Sequence, residues 1–274
     1  MIMTEIPFTK MHGLGNDYIY IDKVSHGIPQ TIDWSALSRR WSNRHTGIGG
    51  DGIVLIEPSE VADFRMRIFN ADGSEAQMCG NASRCIGKYV YERGLTDKTE
   101  VRLETLSGVK ILRLQVVDEK VKNVQVDMGK PLNVSKIAVP LQNGNVLNML
   151  TVDMGNPHAV LFVDILADIP VEILGPEVEC HPLFPEHTNV EFAEVLSRDE
   201  VTMRVWERGS GETMACGTGA CAVAVAARYL GRTDDDVTMH LRGGDLQITM
   251  DENEHVLMTG GAEIVFDGQI KATI

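Results

Sequence analysis

The chain has 274 residues, 43% of them apolar and 23% charged, with 39 Asp and Glu against 25 Lys and Arg, a net charge of −14. This length fits one large domain or two moderate ones with packed cores, and the low charged share argues against long disordered tracts. The acidic balance disfavours nucleic acid and anionic membranes as partners, though not a local cationic pocket.

The first 20 residues lack the charged start and apolar run of a signal peptide. The most apolar stretch, 220–227, is followed by Arg228 and is too short to span a bilayer. A cytoplasmic location is therefore expected, and with it reduced thiols. The five cysteines, at 79, 85, 180, 216 and 221, are then not a disulfide framework.

In chain order, strands are expected at 18–22, 53–57 and 64–70, then at 101–105, 110–117 and 121–127, all rich in β-branched residues between turn formers. A first helix is expected at 33–44 after Thr31. A second, at 81–93, sets Ala82, Cys85, Ile86, Tyr89 and Val90 on one face and stops at Gly94. A second strand-rich set follows at 147–153, 158–163, 188–195 and 201–206, and continues at 237–240, 245–250, 255–259 and 262–267. Within it, 218–230 is apolar almost all round and stops at Gly231, the mark of a helix buried within a domain. The pattern predicts an α+β chain of two similar domains, each with many strands around one buried helix. The expected domains are 1–123, with 264–274 returning to it as a final strand, and 124–263.

Both buried helices open on a copied segment. Gly73-Ser-Glu-Ala-Gln-Met-Cys79-Gly80-Asn81-Ala-Ser-Arg-Cys85 matches Gly211-Glu-Thr-Met-Ala-Cys216-Gly217-Thr218-Gly219-Ala-Cys221, and 137 positions separate the lead cysteines, half of the 274 residues. Each lead cysteine is preceded by a glutamate four residues back, Glu75 or Glu212. A thiol at a helix N-terminus sits beside unpaired N–H groups and the positive end of the dipole, which favour thiolate. The same N–H groups hold carboxylates, and the glycines let a ligand approach the backbone. Two such ends aimed at one point suit removal of an α-proton by one thiolate and its return by the other thiol. Cys85, Cys180 and Cys221 are expected to be structural.

Zinc pairs are normally separated by two to four positions, whereas these cysteine pairs have four or five residues between them and no histidine close by, so no metal is expected. Gly47-Ile-Gly49-Gly50-Asp51-Gly52 lacks the Lys-Ser/Thr ending of a phosphate loop and the dinucleotide spacing; it is expected to be a tight turn.

The chain resembles the diaminopimelate epimerase family almost end to end. The resemblance is carried by Phe8-Thr-Lys-Met-His-Gly-Leu-Gly-Asn16-Asp17, Arg44-His-Thr-Gly-Ile-Gly-Gly-Asp51-Gly, Phe69-Asn70-Ala-Asp-Gly-Ser-Glu and Met78-Cys79-Gly80-Asn81. It continues through Gly155-Asn156-Pro157-His158, Thr188-Asn189-Val-Glu-Phe and Glu207-Arg208-Gly-Ser-Gly-Glu-Thr-Met-Ala-Cys216-Gly217-Thr218-Gly219. The resemblance implies two like domains, each a curved, mostly antiparallel sheet around a central buried helix, related by a pseudo-twofold, with the site in the cleft between them. It implies cofactor-independent conversion of LL-2,6-diaminopimelate to the meso form, for lysine and cell-wall precursors, by Cys79 and Cys216 as acid/base pair. Gly80, Asn81, Gly217 and Thr218 would then bind the carboxylate at the reacting centre. Asn16, Asn70, Asn156, Asn189 and Arg208 would hold the distal end, Glu207 its ammonium, and His158 with Glu207 would tune the thiols. A homodimer is implied as well. Gly52 departs from a glutamine that touches substrate in some members, Ala82-Ser83 from a frequent Gly-Ala, and Tyr18 from Phe.

Two rivals differ in what they need. A proline or hydroxyproline racemase uses two cysteines but has no distal end to clamp, which the motifs at Asn70, Asn189 and Arg208 address. A hinged amino-acid-binding protein needs no paired thiols at helix starts.

Overall fold

The computed structural model describes residues 3–29 and 31–273. The chain divides into two compact units, Met1–Val126 with Gly260–Ile274, and Asp127–Thr259.

In the first unit the strands are β1 (Met3–Gly13), β2 (Asn16–Asp22), β3 (Gly52–Glu57), β4 (Phe64–Asn70), β5 (Glu75–Ala76), β6 (Glu100–Thr105), β7 (Gly108–Val117) and β8 (Lys120–Asp127), with helices α1 (Trp34–Trp41) and α2 (Gly80–Glu92). In the second they are β9 (Asn133–Pro140), β10 (Val146–Asp153), β11 (Pro157–Phe162), β12 (Asn189–Val195), β13 (Glu200–Glu207), β14 (Gly211–Glu212), β15 (Asp236–Leu241), β16 (Gly244–Met250) and β17 (Val256–Gly260), with α3 (Val171–Glu179) and α4 (Gly217–Tyr229). The last strand, β18 (Glu263–Thr273), pairs with β1 in the first unit.

The pairing scheme is the same twice. It runs β18-β1-β2-β3-β4-β6-β7-β8 in one unit and β9-β10-β11-β12-β13-β15-β16-β17 in the other. The short β5 and β14 fold back on β4 and β13. Of these pairs all are antiparallel except β2–β3, β4–β6, β11–β12 and β13–β15. A parallel pair needs a long crossover, and the four helices occupy those four connections.

Each sheet is covered on both faces. In the first unit α2 is buried along 80–90 and lies against β1, β7 and β18. On the other face Trp34 and Trp41 of α1 pack on Ile19, Ile21, Ile53 and Leu55. Strands β2 and β3 are therefore apolar on both sides, the composition expected of doubly covered strands. In the second unit α4 lies against β10, β11, β12, β15 and β16, while Val171 and Val178 of α3 pack on Ala159, Leu161, Val190 and Phe192.

Several elements depart from the sequence expectation. Strand β1 carries Pro7, which speaks against a central strand, but β2 pairs only with Thr9–Gly13, so Pro7 faces one neighbour, β18. Strand β9 is mostly exposed and shows little apolar alternation. Helix α3 contains Gly175 and Pro176, both helix breakers by propensity. Gly175 is required by packing, since a Cβ there would lie 2.5 Å from Cγ of Trp206. Helix α1 stops at Trp41 rather than 44, because Asn43 Oδ1 accepts from the backbone N–H groups of His45 and Thr46 and turns the chain. Helix α2 is buried well beyond one face, with Ser83, Arg84 and Lys88 inside. Arg84 is satisfied there by Asn81 Oδ1 and the Gly261 carbonyl, and Lys88 by Glu92 and the Val121 carbonyl.

Candidate functional site

The two copied segments form the same local structure. In each, a short strand leads into an extended cysteine that N-caps the helix: Cys79 (φ −143°) before α2 and Cys216 (φ −116°) before α4. The sulfurs accept from backbone N–H groups three residues on, Ala82 at 3.5 Å and Gly219 at 3.4 Å. The helical ladders begin with Ser83 N–H on the Cys79 carbonyl and Ala220 N–H on the Cys216 carbonyl. The N–H groups of Gly80 in one turn, and of Gly217 and Thr218 in the other, thus precede their ladders at the positive end of a helix.

The repeated glutamates explain how the turns are held. Arg67 on β4 grips Glu75 on β5 through two bonds, 2.6 and 3.0 Å, and Arg204 on β13 grips Glu212 on β14 at 2.7 and 3.0 Å. These fork-to-fork pairs pin each hairpin just before its cysteine. The arginine in each case holds its glutamate below the ordinary carboxylate range. Neither arginine was expected from sequence. The signal was available: both lie three residues before the end of a strand, and each comes eight residues before its repeated Glu.

Around Cys79 the neighbours are amides. Asn16 Oδ1 accepts from the thiol at 3.6 Å and from Asn81 Nδ2 at 3.2 Å, while Asn16 Nδ2 donates to Asp51 at 2.7 Å. Asp51 and Asp17 share Arg44, and Asp17 also meets Lys10 at 2.6 Å. Burial and the charge of Asp17 push the Asp51 carboxyl up. Burial acts the same way on Asp17, but Arg44 and Lys10 outweigh it and leave Asp17 below its usual range. The glycine-rich turn packs this network: Asp51 N–H donates to the Asp17 carbonyl and Ala71 N–H to that of Asp51. Gly52 pairs with Asn70, and a Cβ at Gly52 would fall 2.1 Å from the Phe69 carbonyl oxygen, so no side chain fits on this backbone. Asn70 directs its amide to Ser74 Oγ at 3.0 Å rather than to the Asn16–Asn81 group.

Around Cys216 the neighbours are acids. The thiol is buried, lies 3.5 Å from Thr218 Oγ1 and donates to Glu207, which also accepts from Thr213 at 2.5 Å. Burial, then the charges of Glu207 and Glu191, push the Cys216 thiol well above its ordinary value, and the bonds from Thr218 and Gly219 only partly oppose them. The helix end alone predicts the reverse direction; burial beside two carboxylates decides it. Burial likewise raises Glu207. His158 is buried, with Nδ1 2.7 Å from Glu191 Oε1 and Nε2 3.1 Å from Asn156 Oδ1. Asn156 Nδ2 in turn donates to Thr218 Oγ1 at 3.4 Å. With Asn156 oriented this way, its Oδ1 accepts from the Nε2–H of His158. Glu191 was not among the expected site residues, although it sits two positions after Asn189 on β12 and so shares its face. Its second oxygen is buried with no hydrogen-bond partner among the described residues.

The remaining expected residues hold each other. Asn189 donates to the Pro157 carbonyl at 2.9 Å and accepts from Arg208 N–H at 3.0 Å. The exposed Arg208 guanidinium donates to the Glu186 carbonyl at 3.0 Å. Cys85 and Cys221 are buried within their helices, as expected, and Cys180 is exposed where α3 ends.

A family model described as "Diaminopimelate epimerase" matches residues 8–134 and 150–265. A protein of that name from Parabacteroides distasonis is 55% identical, covering 97% of this chain and 98% of its own. Another from Methanococcus maripaludis is 49% identical, covering 96% and 99%. Among solved structures, a phenazine biosynthesis protein of the PhzF family from Bacillus anthracis aligns with a TM-score of 0.76 at 16% identity, over 97% of this chain and 99% of that one. A hydroxyproline epimerase from Agrobacterium vitis, with bound trans-4-hydroxy-L-proline, aligns with a TM-score of 0.72 at 17% identity, over 97% and 92%. At such identities these likenesses show the fold alone. No helix among the described residues is long and apolar enough to cross a membrane.

Proposed function

This chain belongs to the diaminopimelate epimerase family, and from that premise we propose that Cys79 and Cys216 interconvert LL- and meso-2,6-diaminopimelate by moving the proton of one α-carbon. The observation that carries this reading is the duplication itself: two cysteines N-capping two buried helices, each pinned by its own Arg–Glu fork.

Cys216 enters as the acid, because burial and two carboxylates keep its proton on sulfur. Cys79 then enters as the base. Cys79 takes the α-proton and Cys216 delivers its own to the opposite face; once the product leaves, proton exchange with solvent returns Cys79 to thiolate and Cys216 to thiol. The carboxylate next to the reacting carbon binds at the leading N–H groups of the two helices, through Gly80 and Asn81 and through Gly217 and Thr218. These donors stabilise the negative charge that grows as the proton leaves. The distal end, identical in composition but not inverted, is held by Asn16, Asn70, Asn156, Asn189 and Arg208, with Glu207 accepting from its ammonium. His158 and Glu207 adjust the thiols. Five free cysteines suit a reducing cytoplasm, and a homodimer is the assembly carried over from the family resemblance.

In deuterated water, with LL-diaminopimelate and no added cofactor, deuterium should enter one α-carbon as the meso isomer appears. Meso product without deuterium, or full activity in Cys79→Ala or Cys216→Ala, would overturn the two-thiol reading. Sedimentation at a single-chain mass would overturn the dimer.

A further inference from the structure

Outside the copied segments, the second unit gathers a cysteine, a histidine and a glutamate at the end of α3. Glu179 is the last residue of the helix and Cys180 its C-cap. His187 stands 3.6 Å from Cys180 Sγ and 3.7 Å from Glu179 Oε1, both measured to Nδ1. The three ligand atoms all lie within 4.8 Å of one another.

Two readings compete with a metal. A thiol–imidazole hydrogen bond accounts for the 3.6 Å contact but not for the carboxylate that joins it. A Cys–His–Glu relay needs the thiol on one ring nitrogen and the acid on the other; here both approach Nδ1. Three donors facing one another around a common point is the arrangement of ligands. Tetrahedral zinc, with bonds of about 2.3 Å to sulfur, about 2.0 Å to nitrogen and about 2.1 Å to oxygen, has ligand-to-ligand edges of about 3.4–3.6 Å. The Cys180–His187 and Glu179–His187 separations of 3.6 and 3.7 Å lie near such edges, and all three atoms stay within 4.8 Å of one another, so the cluster closes on a metal by drawing its ligands inward.

The surroundings favour a cation. The carbonyl end of α3 carries the negative pole of its dipole. Glu179 is already oriented, since Oε2 accepts from Trp206 Nε1 at 2.7 Å and Oε1 from Gly209 N–H at 2.8 Å, which is the outer-shell support that ligating carboxylates have. His187 is half-exposed and left-handed (φ +60°), held by its N–H on the Phe184 carbonyl. Cys180 is exposed, so the fourth position opens to water.

We propose that Glu179, Cys180 and His187 form a site for a borderline-soft divalent cation of the zinc class. A thiolate with an imidazole selects against magnesium and calcium. As the metal–sulfur bond forms, the thiol proton leaves to solvent. The site bridges two segments of the second unit: Glu186, which precedes His187, accepts from Arg208, and Gly209, which follows Arg208, donates to Glu179. A bound ion would tie these segments together.

Cobalt(II) titrated into the full-length protein tests this. One equivalent should bind with the intense visible bands of four-coordination and a near-ultraviolet sulfur-to-cobalt charge-transfer band, and zinc should displace it. Cys180→Ser should abolish the charge-transfer band, and His187→Gln should weaken binding at least about tenfold, the lower end of what even outer-shell losses cost. The Cys79→Ala/Cys216→Ala double variant should keep the signal, which separates this site from the two helix-capping thiols. A spectrum without charge transfer, a band that survives Cys180→Ser, or one lost in the double variant would each overturn the assignment.

Discussion

The turns at Cys79 and Cys216 share a backbone and differ in everything that surrounds it. Both cysteines cap a helix, and both are braced by an Arg–Glu fork. Cys79 is half-buried among amides, from Asn16 and Asn81, whereas Cys216 is buried between Glu207 and Glu191. The backbone end of a helix pulls a thiol toward thiolate in both places; two nearby acids and the loss of water reverse that pull in one of them. Copied geometry thus gives two equivalent scaffolds, and the side chains drawn from neighbouring strands make them chemically opposite.

The largest expected effect breaks the pair. Cys79→Ala and Cys216→Ala should each lower kcat by about 10²–10⁴-fold or more, the range for removing a positioned acid or base, as followed by deuterium exchange and product formation. A large loss in one variant alone would mean that the two turns are not partners.

A second comparison sets the interior cysteine of α2 against the rest of the helix. Burial pushes the Cys85 thiol up to about 12 from an ordinary 9.0. A raised folded-state value means that the stabilisation is complete below pH 9 and is lost as pH climbs toward about 12. Denaturant midpoints should fall over that window, and Cys85→Ala, though less stable at neutral pH, should show a flatter decline.

The forks differ in exposure, with Glu212 9% accessible and Glu75 30%. Glu212→Ala should therefore cost about 2 kcal/mol by urea denaturation, and Glu75→Ala less than about 1 kcal/mol, as for exposed pairs. Equal losses would say that burial does not distinguish them.

The smallest effect is the most selective. Glu207→Gln removes one like charge beside Cys216, so the pH at which this thiol becomes alkylated should move down while that of Cys79 stays in place. Mass-spectrometric mapping of both peptides across pH reads the two sites in one sample, and an equal shift at Cys79 would count against the charge explanation.

Much of this was legible in sequence because it is local. The Cys-Gly repeats, the glycine stops and the alternating strands each depend on residues a few positions apart. They anticipated helices α2 and α4 within a residue or two and fourteen of the strands' positions along the chain. Helix α3 was hidden by Gly175 and Pro176, whose cost is offset by the Trp206 ring packed against the glycine. Strand β1 was hidden by Pro7, harmless only because β2 ends its pairing at Thr9. Glu191 drew no notice, since a lone acid in a strand reads as a solvent-facing residue until His158 is seen beside it.

The sequence by itself determined that there would be two like halves, each turning into a buried helix through a cysteine. Backbone propensity and short-range spacing suffice for that. Tertiary structure alone decided which groups meet each sulfur, because Asn16 lies 63 residues from Cys79, and Glu191 reaches the neighbourhood of Cys216 only through the register of β11, β12 and β13. A thiol's protonation follows burial and charge at a few ångströms, and those distances belong to the fold.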